Sequence, residues 1–294
     1  MRTISTVLGT IAASFAIRAF ADVNSLEVVS TSQELVGISA SVPGGGSADN
    51  FPSQTIVAGV SYASFRLNDS VANTPFADLR ITVTDIFGTL STGTAANNGL
   101  MIARTVNSQG FVDTGTISVL SGFSAEGALN QGSYVSLRFD FYTPNGLFDT
   151  PKTAQVGLTS FDIDFLQFNR IQKSEFESIT VELLTQLATE QDATTIRIED
   201  APPSGDSTFG NSKFAVSMLS HEVPGFTLEM GKLQGSGNSL FMFEFRNPSE
   251  NITFGSPIIT SLPEVSPSLG SGVIRMGFLV GFAHWRRSRS APQR

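Results

Sequence analysis

SYVSLRFDFY, Ser133–Tyr142, decides how the rest of the chain is read. Val135, Leu137, Phe139 and Phe141 fall on one side of an extended segment, with Ser136, Arg138 and Asp140 on the other. A period of two belongs to a strand with one buried and one solvated face. LTSFDIDF (Leu158–Phe165) repeats it, placing Phe161, Ile163 and Phe165 inward and Asp162 and Asp164 outward. SLFMFEFR (Ser239–Arg246) is more apolar, with Phe241, Phe243 and Phe245 on one face and Leu240, Met242, Glu244 and Arg246 on the other. DLRITVTDI, GTISVLS, TTIRIED and KFAVSMLS read as further strands.

Clusters of turn formers separate these runs: PGGGS (43–47), ANNG (96–99), LNQGS (129–133), TPNG (143–146), APPSGDS (201–207) and QGSGNS (234–239). Many short strands with this punctuation imply an all-β fold, an antiparallel β-sandwich or jelly roll. One-sided alternation supports antiparallel pairing, because the strands of a parallel sheet are buried on both faces. EFESITVELLTQLATEQDA (175–193) fits the pattern least well, and reads as a strand breaking into a turn or short helix. No strong linker divides the body, so residues 22–261 read as one β-sandwich ectodomain. Residues 1–21 and 262–294 stand apart as a signal segment and a C-terminal sorting or anchor segment.

Of the 294 residues none is cysteine, which excludes disulfides, thiolate metal sites and cysteine nucleophiles. The formal charge is −8, but arginines gather at the two ends. Between residues 22 and 262, 11 Lys and Arg face 25 Asp and Glu, a net −14. Such a body disfavours nucleic acids and anionic membranes as partners and suits an extracellular setting. Phenylalanine supplies the core, with 24 residues against one Trp and three Tyr.

Motifs for catalysis are sparse. His284 lies in the C-terminal apolar run, leaving His221 alone in the body, and neither G-x-S-x-G nor H-E-x-x-H occurs. PGGGS lacks the G-K-S/T of a phosphate loop. Asp162 and Asp164, with side chains roughly 7 Å apart on one strand face, are the candidate metal ligands. They read as the solvated face of an amphipathic strand, as the start of a calcium site, or as a glycosidase acid pair. The expectation is therefore no enzyme and no cofactor other than Ca²⁺.

The ends read as addresses. Arg2, the apolar Val7–Ile17 and the small-x-small Ala19-Phe20-Ala21 form a secretory signal with cleavage before Asp22; a short N-terminal helix is the alternative. At the other end stand Pro263-Glu264-Val265, a Ser/Pro/Gly spacer, an apolar run from Val273 to Trp285, and Arg286, Arg287 and Arg289. A 13-residue helix spans about 20 Å, short of a hydrocarbon core of about 30 Å. The terminal arginines would stay in the cytoplasm, leaving the Pro-Glu stretch at the outer face.

In this order the segment resembles a PEP-CTERM sorting signal of exported bacterial proteins, with Val265 where the family carries a second proline and with Arg275 inside the apolar run. The resemblance covers about the last 30 residues. It implies recognition by exosortase, a membrane-embedded transpeptidase, for which Pro263, Glu264 and Val265 are substrate and not catalytic residues. It also implies transient membrane insertion and association with the envelope, biofilm and extracellular polysaccharide. A plain anchor and an amphipathic helix packed on the domain are the alternatives. The combined expectation is a non-enzymatic exported cell-surface or matrix protein. The competing one is an extracellular carbohydrate-active or glycan-binding protein, with or without calcium.

Overall fold

Ser133–Tyr142 lies near the middle of a nine-stranded antiparallel sheet, and Val135, Leu137, Phe139 and Phe141 are all fully buried. The structure is a computed structural model. It describes residues 25–29, 34–38, 56–87, 100–104, 116–123, 133–161, 163–200, 211–233, 237–246, 249 and 252–262. The signal and C-terminal helices expected from the sequence lie outside these residues.

In spatial order the first sheet runs β1 (Leu26–Val28), β3 (Tyr62–Asp69), β4 (Thr74–Phe87), β7 (Ser133–Tyr142), β14 (Gly225–Lys232), β9 (Gln167–Gln172), β12 (Thr195–Asp200) and β11 (Leu187–Gln191). β2 (Glu34–Val36) pairs with β3 beside β1. The second sheet runs β16 (Pro257–Ser261), β10 (Phe176–Glu182), β13 (Val216–Ser220), β8 (Gly157–Phe161), β15 (Gly237–Glu244), β6 (Ile117–Phe123) and β5 (Leu100–Arg104).

Alternation closes the two sheets over one core. β3 contributes Ala63, Phe65 and Leu67, β4 contributes Ala77, Leu79, Ile81 and Val83, and β14 contributes Phe226, Leu228 and Met230. Phenylalanines join the layers. Phe139 stacks on Phe226 at 5.2 Å and meets Phe243 and Phe245 edge-on at 6.3 Å, while Phe176 tilts against Phe226 at 5.1 Å. Each buried ring contributes about 1.5–3 kcal/mol by leaving water, and the ring pairs add about 0.5–1.5 kcal/mol. The fold expected from the sequence, an antiparallel β-sandwich, is the one observed.

Two segments depart from their one-sided reading. β8 stops at Phe161, because the chain there leaves the second sheet to enter β9 in the first. Alternation ends at that crossing: Phe165 (φ 46°) and Leu166 (φ 66°) turn through the left-handed region. Phe165 is 46% exposed and Asp164 only 3%, the reverse of the expected orientation. In β15 and the residues after it both faces are buried, since Met242 packs with Phe161, Ala215 and Ile252 on the side away from the main core. Glu244 and Arg246 face each other there at 3.7 Å, fully or nearly buried.

Finally, Glu175–Ala193 contains no α-helix. It forms β10, a turn at Leu183-Leu184, and β11, because β13 and β16 take up β10 on both edges while β12 pairs with β11. Leu183 and Leu184 are left exposed, at 57% and 69%.

β16 is the outermost strand of the second sheet, and every one of its residues is exposed. Leu262 N–H donates to Glu177 O and Leu183 N–H to Ser256 O, so the even-numbered residues of β16 face β10. In an antiparallel ladder the odd-numbered ones, Pro257, Ile259 and Ser261, then direct their backbone groups away from the sheet.

Candidate functional site

Among the sequence-predicted positions, Ala19, Ala21, Asp162, Pro263, Glu264, Val265, Val273, Trp285, Arg286, Arg287 and Arg289 lie outside the described residues. Asp164 is described and is buried, and its charge opposes the downward pull of burial on the Lys232 ammonium. Among the described residues no group of three or more His, Asp or Glu gathers to hold a metal ion. His221 ends β13 with its N–H donated to Glu175 O.

The chemistry that the fold does assemble lies on the outer face of the first sheet. Outward positions of neighbouring strands bring Arg66, Arg80, Arg138, Arg170 and Arg197 into one layer with Asp78, Asp140, Glu190, Glu199 and Glu229. Three of the ion pairs follow the strand register. Arg66 is opposite Asp78 and bonds it at 2.7 Å, Arg170 is opposite Glu229 at 2.7 Å, and Arg197 is opposite Glu190 and bonds it as well as Glu199. Arg138 reaches Asp140 at 3.0 Å and Glu175 at 2.5 Å. The exterior aromatic layer needs room at Gly231, where a Cβ would sit 2.5 Å from the Phe168 ring.

At the β9–β12 end this layer forms an open cleft of about 350 Å³ lined by Arg170, Glu190, Gln191, Asp192, Thr195, Arg197 and Glu229. Both of its arginines are paired with glutamates. Burial pushes the Glu229 carboxyl up, against the pull of the Arg170 guanidinium. Asp192 is held well below the ordinary aspartate range because it accepts the Thr195 and Thr194 N–H groups and both hydroxyls. Asp192 thus closes its own turn, and each glutamate is engaged by an arginine.

At the β3–β4–β7 end the layer is built differently. Arg80 is directly opposite Asp140 in the register, yet Asp140 turns to Arg138 instead. The Arg80 guanidinium lies 4.7 Å from the Tyr62 ring, 4.6 Å from Phe148 and 5.6 Å from Tyr142. Its Nε is buried without a hydrogen-bond partner, and among the described residues Arg80 forms no ion pair.

The loop after β7 supplies this cage. Gly146 (φ 79°) gives its N–H to the buried Asp78 carboxylate at 2.6 Å, and Asp78 also accepts from Arg66. Phe148 follows in the left-handed region at φ 53°, a conformation that costs about 1–2 kcal/mol for an L-residue, and turns its ring over Arg80 and edge-on to Tyr142. Burial, and then the Glu34 carboxylate, push the Tyr62 phenol up.

Beyond the loop Lys152 lies over the Phe76 ring, 3.7 Å from its centroid, and donates to Phe76 O. Burial lowers the Lys152 ammonium. Of the sequence signals, only the outward place of Arg80 in DLRITVTDI and the turn TPNG pointed to this region.

No protein-family model matches the chain, and no curated protein matches it. Among solved structures, the N-terminal domain of the Streptococcus gordonii adhesin Sgo0707 is similar over 76% of this chain, at 10% identity and a TM-score of 0.44. This chain spans 61% of that structure.

Proposed function

We propose that the protein is a non-enzymatic, exported cell-surface or matrix protein whose β-sandwich is displayed through its PEP-CTERM-like C-terminal segment. The observation that carries this reading is the junction between body and tail. β16 is the last strand of the sandwich, and Leu262 is buried and hydrogen-bonded to Glu177. Pro263-Glu264-Val265 follow in the very next positions. An enzyme acting at the Pro-Glu stretch would cut beyond β16 and beyond the buried Leu262. A core of phenylalanines without a single cysteine suits that role, since it needs no oxidant to form.

Intact mass of the protein recovered from its native cell surface tests the reading. The expected result is a chain beginning near Asp22 and lacking its last residues, or modified near Glu264. A surface protein running unmodified to Arg294 would overturn it.

A further inference from the structure

We propose that the Arg80 cage is a binding site for uronate-bearing polysaccharide, with the Arg80 guanidinium pairing to a sugar carboxylate beside the rings of Tyr62, Tyr142 and Phe148. The inference goes beyond display of the protein and does not depend on what happens to its tail.

Four of the five arginines on this sheet face are neutralised by carboxylates, and Arg80 is not. Asp78 is engaged by Arg66 and Gly146 and Asp140 by Arg138, and neither bonds Arg80. A guanidinium 4.6–5.6 Å from three ring centroids, with no carboxylate bonded to it among the described residues, has terminal N–H donors left for an oxyanion. Its planar fork matches a carboxylate bidentately, with little side-chain freedom left to lose on binding. The three rings add flat apolar surface at the same spot, which suits the C–H face of a sugar and not a bare inorganic anion.

A second cation argues for a polymer over a single acid. Lys152 is also without a carboxylate partner among the described residues. It sits over Phe76, which shares the outer face of β4 with Arg80 and precedes it by four residues, about 13 Å along the strand. An otherwise acidic body thus carries a row of unneutralised positive charge beside aromatic rings, and repeated carboxylates along one chain can meet both cations.

Isothermal titration of the full chain with oligogalacturonate tests the site, with the methyl-esterified oligomer and dextran sulfate as the other arms. Binding is expected for the acid and not for the ester. Arg80→Gln should weaken it roughly tenfold to hundredfold, while Lys213→Gln, the same charge change on an exposed residue elsewhere, should leave it as in wild type. Phe148→Ala, a change in the loop, should also weaken it and guards against a folding defect in the arginine variant. Folding of each variant is read from its melting transition.

No binding at millimolar oligogalacturonate would overturn the proposal. So would equal binding of acid and ester, or affinities that ignore both Arg80 and Phe148. Arg80-dependent binding of dextran sulfate alone would reassign the site to sulfate and overturn the uronate.

Discussion

Arg80 and Arg170 stand on the same face of the same sheet, each directly opposite an acid in the strand register, yet they end in different states. Arg170 takes its partner Glu229 at 2.7 Å and lines a cleft whose arginines are both paired with glutamates. Arg80 leaves Asp140 to Arg138 and is held by three rings. Cross-strand register proposes ion pairs, and local competition then disposes of them. Asp140 has Arg138 two residues away on its own strand, while the loop 143–151 brings Phe148 to Arg80. At one end of the face the arginines are therefore all paired, and the other offers positive charge to something outside it.

The comparison assumes that both ends rest on one floor. Phe139→Ala should remove about 3–5 kcal/mol of stability in urea denaturation and loosen both ends in a single transition. Two separate transitions would mean that the ends are independent units.

Asp78→Ala acts on the Arg80 end alone, by releasing Arg66 and the Gly146 N–H from a fully buried carboxylate. A loss of about 2–4 kcal/mol is expected, with faster amide exchange across residues 143–151. Unchanged exchange there would show that the loop is not pinned by Asp78.

The two arginines can be tested against each other. Arg170→Gln strands a largely buried Glu229 and should cost about 1–3 kcal/mol, whereas Arg80→Gln gives up only ring contacts, about 0.5–1 kcal/mol. Reversal of that order in chemical denaturation would make the cage a structural staple.

The smallest effects are in pH dependence. Burial raises the folded-state pKa of Glu229 above the ordinary 4.5, so the native state holds that proton more tightly and stability falls as pH rises between the two values. Asp192 is the opposite case: its folded value lies below the ordinary 3.8, and its contribution is complete above that value and lost as pH falls beneath it. Denaturation midpoints against pH should show Glu229→Gln flattening the first slope and Asp192→Asn the second. Slopes of the same sign for the two would contradict the opposed environments.

The sandwich was readable wherever one face meets the core and the other meets water, as in β7, whose inward and outward residues fall as the alternation predicts. It became unreadable where a second layer covers the outer face. Nothing in SLFMFEFR announces that Ile252 and Phe254 lie over Met242 and Leu240. Asp164 was misread for a related reason, since an alternating string does not record where the chain crosses from one sheet to the other. Leu183 and Leu184 lie where the strand was expected to break into a turn or short helix, and strand pairing on both sides settles it as a turn. The Arg80 cage joins β3, β4, β7 and the loop beyond, so no local pattern contains it.

The edge strand β16 bears on how copies of this protein behave when crowded. Its outward backbone offers N–H donors only at Ile259 and Ser261. Pro257 has none to give. So short an edge, with a proline at its start, disfavours a strand ladder with a neighbour. Packed side by side at high density, the sandwiches are thereby kept from zipping into fibres along this edge.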